Sequence, residues 1–85
     1  MSDFTLAELR TIMWQAAGEI ELSHPGADVA EVRYADLGYD SLALLEITAK
    51  IKQNRGVEVP DEFVTGTATP AATVAAVNEL LVGAR

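Results

Sequence analysis

Leu6, Leu9, Met13, Ala17 and Ile20 recur at intervals of three and four residues, and Ile12 and Ala16 widen the stripe they make. Glu8, Thr11, Gln15 and Glu19 fall on the other side. That period is the mark of an amphipathic α-helix. Thr5 followed by Glu8 reads as a capping box at its start, so a helix is predicted over residues 5–19. Trp14 lies at the edge of the stripe, where a side chain flanks the core. From Glu21 to Asp40 the periodicity is lost, and His24-Pro25-Gly26 breaks any helix there. Val32, Tyr34 and Leu37 are the apolar pegs expected to hold this long connection to the helices. Loops of such length in a compact domain are uncommon and often functional.

A second helix is predicted to open at Asp40 and Ser41 and to run to Arg55, where Gly56 stops it. Lys50, Lys52 and Arg55 sit near its C-terminal end, where the helix dipole favours positive charge. Val57 and Val59 alternate into Pro60, and residues 61–65 have room for one short helical turn with Phe63 and Val64 inward. Thr69-Pro70 is a cap followed by proline at the first helical position. The last helix then carries Val74, Val77, Leu80 and Leu81 on one face. The chain shows no repeats or linkers. Residues 1–85 therefore read as one all-α domain, a small bundle of three principal helices plus one short helix, with a long loop between the first and second.

The second helix carries more apolar surface than one buried stripe needs. Advancing about 100° per residue from Ser41, Leu44, Ile47 and Ile51 land together as a core-facing stripe. Leu42, Leu45 and Ala49 land on another face, with Glu46 and Gln53 at its margin and Ser41 at its top. Leaving Leu42 in water forgoes about 1.5–3 kcal/mol of burial. Either these leucines pack under the long loop, or they form a docking patch ringed by Asp36, Asp40 and Glu46.

Composition narrows the options. An 85-residue chain with no cysteine and one histidine has neither a disulfide framework nor a conventional zinc site. Its net charge of −7 disfavours nucleic acid and can steer the domain toward basic protein surfaces. No apolar stretch approaches the ~20 residues that span a bilayer, and no charged leader precedes one, so a cytoplasmic, monomeric protein without membrane contact is expected. So small a domain suits a carrier or binding role better than an enclosed active site.

Ser41 taken alone is an ordinary first-turn serine. Its surroundings give it more weight, because Gly38 and Asp40 end a long loop and the helix start offers free N–H groups and a positive dipole end. A phosphodiester on that hydroxyl would be favoured by about 0.3–1 kcal/mol. Asp40 partly opposes this by its own charge, and is better suited to capping the helix and to recognition by a basic partner. The residues themselves thus define a modifiable serine beside an acidic and apolar docking patch.

Asp40-Ser41-Leu42, preceded by Leu37-Gly38, resembles the attachment motif of acyl carrier proteins. The longer run Gly38-Tyr39-Asp40-Ser41-Leu42-Ala43-Leu44-Leu45-Glu46 is similar to the version found in carriers of bacterial type II aromatic polyketide synthases, with Tyr39 and Ala43-Leu44 the polyketide-like details. The likeness continues through Gly56-Val57, Val59-Pro60-Asp61 and Thr69-Pro70. It implies a four-helix fold and a 4′-phosphopantetheine arm on Ser41, installed from coenzyme A by a magnesium-dependent phosphopantetheinyl transferase. It implies that the arm's thiol carries malonyl units and growing polyketide chains as thioesters. Leu42, Leu45, Glu46 and Ala49 match docking positions, to which the charge pattern adds Asp40. The partners implied are the transferase, a ketosynthase with its chain-length factor, a malonyl transferase, and ketoreductase, cyclases or other tailoring enzymes. One departure stands out. The short third helix of such carriers often holds a basic residue, and residues 62–69 hold none, which counts against any contact that depends on such a charge.

Four other readings compete with this one. A serine hydrolase would pair Ser41 with His24, but the flanks lack the glycines of a nucleophile elbow. An EF-hand would need alternate acidic spacing that Asp36, Asp40 and Glu46 do not keep. An unmodified acidic interaction domain, and within the carriers a fatty acid carrier, are the remaining alternatives.

Overall fold

The computed structural model describes residues 3–17 and 29–83. They form α1 (Leu6–Ala17), α2 (Ser41–Arg55) and α3 (Pro70–Gly83), with 3-10 turns at Val29–Glu31, Tyr34–Leu37 and Asp61–Phe63. No strand occurs among the described residues. The expected fold class is what is found, with Asp61–Phe63 standing where the short helix was predicted. His24-Pro25-Gly26 and the expected end of the first helix beyond Ala17 lie outside the described residues.

Only half of the capping box predicted at the start of α1 closes. The Glu8 amide donates to Thr5 Oγ1 at 3.1 Å. The Glu8 carboxylate turns away from Thr5 and pairs with Arg55 at the far end of α2. A second tie holds the N-terminus: the Phe4 amide donates to Asn78 Oδ1 at 2.7 Å, and Asn78 Nδ2 donates to the Phe4 carbonyl at 3.0 Å. Phe4 is buried, with the Arg55 guanidinium 5.8 Å from its ring centroid. These contacts join α1, α2 and α3 at the end of the bundle remote from Ser41.

Leu9, Ile12 and Met13 of α1 meet Leu44, Ile47 and Ile51 of α2 in one core, closed by Val57, Val59 and Val64. Each such side chain contributes about 1.5–3 kcal/mol by leaving water. The face of α3 differs from the expected one. Val77 is buried, but its fellows are Pro70, Thr73 and Ala76, while Val74, Leu80 and Leu81 are only partly covered. A threonine can occupy this face because its hydroxyl is hydrogen-bonded there.

The described part of the connection before α2 is ordered by its own turns rather than draped. Tyr34 and Leu37 are buried as expected, Val32 is partly buried, and Val29 and Tyr39 join the core as well. The Tyr34 amide donates to the Ala68 carbonyl at 3.0 Å and the Ala35 amide to the Gly66 carbonyl at 2.9 Å. Gly38 adopts φ 89°, a left-handed conformation that glycine reaches without Cβ strain. The turn there redirects the chain into α2. The segment before Ser41 is thereby bonded to the segment that follows the Asp61–Phe63 turn.

Candidate functional site

Ser41 is the first residue of α2, and it is exposed. Asp40 is the N-cap, in extended conformation, and its Oδ1 accepts from the Ala43 amide at 2.9 Å. A capping carboxylate satisfies one of the helix's orphan N–H groups, a contribution of about 1 kcal/mol. The capping role expected of Asp40 is therefore realised. At the other end Gly56 closes the helix at φ 71°, its amide donating to the Lys52 carbonyl at 2.8 Å. The hydroxyl of Ser41 thus stands in solvent at the positive end of a 15-residue helix.

The two faces of α2 separate as the periodicity predicts. Leu44, Ile47 and Ile51 are buried. Leu42 remains 72% exposed and Leu45 63% exposed, so packing beneath the described part of the loop does not account for them. Asp40, Glu46 and Ala49 are exposed with them. Helical spacing makes these residues one continuous surface running away from Ser41, apolar along its centre with carboxylates at its margin.

Two grooves flank this surface. One, of about 460 Å³, is lined by Ala16, Gly38, Asp40, Leu42, Ala43 and Glu46. The other, of about 380 Å³, begins at Ser41 and is lined by Leu44, Leu45, Thr48, Asp61, Val64, Thr65 and Gly66. Nothing in the sequence pattern announces the groove at Ser41. Pro60-Asp61 marked a turn, but no periodicity places residues 61–66 beside residue 41. The placement comes from the backbone bonds of Tyr34 and Ala35 and from Thr73, whose Oγ1 donates to the Phe63 carbonyl at 2.7 Å.

Near Ser41 burial also affects two phenols. Tyr34 is fully enclosed and its hydroxyl lies 2.7 Å from that of Thr73. Burial pushes its pKa up to about 12, against a smaller downward pull from the Thr73 hydrogen bond. Tyr39 packs on Tyr34 with ring centroids 5.8 Å apart. Its pKa is also raised by burial, and its hydroxyl is enclosed with no hydrogen-bond partner among the described residues.

Among the described residues no cluster of histidine and carboxylate side chains is arranged to hold a metal ion. No helix of the described residues is long and apolar enough to cross a membrane. His24, the partner a hydrolase would require, lies outside the described residues. The residues present fit a phosphodiester-linked arm: an exposed hydroxyl at a helix N-terminus, where an anion is favoured, opens directly onto a groove with Leu44 and Val64 buried in its floor.

Comparison with known proteins agrees with this geometry. The family described as "Phosphopantetheine attachment site" matches residues 15–77. The oxytetracycline polyketide synthase acyl carrier protein of Streptomyces rimosus is 40% identical over 84 residues, covering 99% of this chain and 88% of that protein. The actinorhodin holo acyl carrier protein from S. coelicolor superposes with a TM-score of 0.75 at 32% identity, over 99% of this chain and 98% of that one. A solved 3-oxo-butyl form, an intermediate mimic from the actinorhodin synthase of Streptomyces coelicolor, has a TM-score of 0.77 at 32% identity, with 99% and 98% coverage. The chain belongs to the phosphopantetheine attachment family, as an acyl carrier protein of the polyketide synthase kind. Its prosthetic group is a covalently attached phosphopantetheine, and its part in synthesis is to carry acyl groups while the synthase enzymes do the chemistry.

Proposed function

We propose that Ser41 is the residue that bears the arm, and that Asp40, Leu42, Leu45, Glu46 and Ala49 form the face gripped by successive enzymes. The observation that carries this reading is the exposure of Leu42 and Leu45 directly below an exposed serine at a capped helix start. Burying Leu42 and Leu45 only when a partner arrives makes an apolar contact available on demand, while Asp40 and Glu46 steer basic surfaces toward it. Such contacts suit weak, fast exchange, which a carrier serving several enzymes requires.

In this reading residues 1–85 act as one carrier unit of a type II polyketide synthase, monomeric and cytoplasmic. A transferase joins the Ser41 oxygen to the phosphorus that bears the pantetheine arm in coenzyme A; the pyrophosphate linkage there breaks, adenosine 3′,5′-bisphosphate leaves, and the serine proton is released. The arm supplies a thiol for malonyl units and growing poly-β-ketone chains. Ketosynthase with chain-length factor, malonyl transferase, ketoreductase and cyclases are the partners this cargo requires. The domain itself contributes no general acid or base. Its contribution is high effective concentration at each active site.

Incubation with coenzyme A, magnesium and a broad-specificity phosphopantetheinyl transferase tests the assignment. Intact mass is expected to rise by one phosphopantetheinyl group, and Ser41→Ala to abolish the gain. A gain that survives in Ser41→Ala overturns it.

A further inference from the structure

Trp14 stands farther from the core than its place in the sequence suggests. It is 61% exposed, and it shares the outer side of α1 with Ala7, Arg10 and Thr11, all exposed. A single exposed aromatic is ordinary. What sets this one apart is the charge beside it. Among the described residues Arg33, Lys52 and Arg55 each pair with a carboxylate, in a chain with 13 acidic residues, whereas Arg10, one turn from Trp14, pairs with none. The Thr11 hydroxyl is spent on the Ala7 carbonyl at 3.2 Å. The patch is therefore aromatic and cationic, on a molecule whose net charge is −7.

A surface that complements this patch has to be apolar at its centre and anionic at its margin. One is present on the chain itself. On α2, Leu42, Leu45, Glu46 and Ala49 are exposed and recur at i, i+3, i+4 and i+7, the same spacing that Ala7, Arg10, Thr11 and Trp14 keep on α1. Two such stripes laid side by side in the same direction bring equivalent positions to one height, and the flanking pair crosses over. Arg10 then meets Glu46, and Thr11 meets Leu45. Along the seam Ala7 faces Leu42 and Trp14 faces Ala49, so that large lies on small at both ends, as close packing requires. Reversing one helix sets Trp14 against Leu42 and alanine against alanine, and moves Arg10 across from Leu45. Each patch lies on the side of its helix away from the core, where Leu9, Ile12 and Met13 meet Leu44, Ile47 and Ile51. The two face apart, and no chain can fold one onto the other.

We propose that the Arg10–Trp14 face of α1 docks on the α2 face of a second copy of this chain. The contact joins unlike patches, so it runs head to tail instead of closing into a twofold dimer. One helix on one helix buries less than the roughly 1,200–2,000 Å² of a stable interface, and the like net charge of the two copies opposes them. The chain is thus monomeric when dilute and associates reversibly as its concentration rises. Where α2 is the face that enzymes grip, as proposed above, a neighbouring carrier covers Leu42 and Leu45 until an enzyme displaces it.

The unloaded full chain tests this, because the contact needs no arm. Trp14 is its one tryptophan, so emission reports the α1 side, and the backbone amides of Leu42, Leu45, Glu46 and Ala49 report the α2 side. In a dilution series, emission is expected to move to shorter wavelength as concentration rises, together with those four amides and those of Arg10 and Trp14. Arg10→Glu and Glu46→Arg should each abolish the movement. Both residues are exposed, and circular dichroism verifies helix content in the variants. Glu46→Arg also makes the chain less negative, so net charge alone would strengthen association where this contact requires its loss. An equimolar mixture of the two variants should restore the movement, since each then offers the other an opposite charge. Native signals that stay constant with concentration would overturn the proposal, as would movement that survives in either variant or a mixture that stays silent. Emission that shifts only when an enzyme of the synthase is added would also overturn it, and would make that enzyme the occupant. Failure here leaves the Ser41 assignment standing, since that rests on the mass gain of the loaded chain.

Discussion

Tyr34 donates its phenolic proton to Thr73, 2.7 Å away and 39 positions along the chain. The direction follows from proton counting, because Thr73 has one hydroxyl proton and gives it to the Phe63 carbonyl at 2.7 Å. One buried threonine therefore joins the segment leading to Ser41, the Asp61–Phe63 turn and α3. Thr73→Val removes the acceptor and leaves the Tyr34 hydroxyl and the Phe63 carbonyl without it. The expected loss is about 1–3 kcal/mol in urea unfolding. Tyr34→Phe should cost less, and the double variant less than the sum of the two, since the groups are coupled.

The bidentate grip of Arg55 on Glu8 ties the end of α2 to the start of α1. The Arg55 hydrogen bonds hold the Glu8 carboxyl below the ordinary glutamate range, against a smaller upward pull from desolvation. A depressed carboxyl stabilises the fold fully above its unfolded pKa, and that stabilisation fades as pH falls through the folded one. Glu8→Gln is therefore expected to lower stability near neutrality by about 1 kcal/mol, or roughly 4–8 °C in Tm for a domain of this size. Below the ordinary glutamate range the native and variant melting curves should converge. Thermal melts across that pH interval measure the difference.

Asp40 and the leucines after it should separate fold from docking. Asp40→Ala removes a cap and is expected to cost about 1 kcal/mol of stability as well as some recognition. Leu42→Ala and Leu45→Ala remove side chains that stand in solvent, 72% and 63% exposed, so stability should stay within about 0.5 kcal/mol of native. Their effect should fall on the transferase KM for the carrier, with kcat little changed. Parallel melts and steady-state kinetics distinguish the two outcomes.

Tyr39 offers a test of opposite sign. Its hydroxyl is enclosed without a partner among the described residues, an arrangement that costs about 1–3 kcal/mol where it is left uncompensated. Tyr39→Phe keeps the ring against Tyr34 and removes the stranded oxygen. Stability is expected to be unchanged or higher in denaturant unfolding, and transferase modification of Ser41 to persist.

Much of this molecule is written locally. The three-and-four spacing of Leu9, Ile12 and Met13, the cap at Asp40, the left-handed stop at Gly56 and Thr69-Pro70 at the head of α3 are short-range signals, and each appears where it was read. The surplus apolar face of α2 was legible for the same reason, since helical geometry alone separates Leu42 and Leu45 from Leu44 and Ile47. The family resemblance was likewise legible in adjacent residues, the run from Gly38 to Glu46.

What tertiary structure decided were partnerships across distance. Glu8 left the capping box its spacing announced because a guanidinium from residue 55 binds a carboxylate more strongly than a single backbone amide does. Thr73 took a place beside Val77 on the buried face of α3, where Val74, Leu80 and Leu81 were expected, because Tyr34 and Phe63 satisfied its hydroxyl. The groove beside Ser41 exists because backbone bonds from residues 34 and 35 bring the turn at Asp61 alongside α2. Periodicity records which side of a helix seeks cover. Which distant group arrives to cover or to neutralise it is settled only when the chain closes on itself.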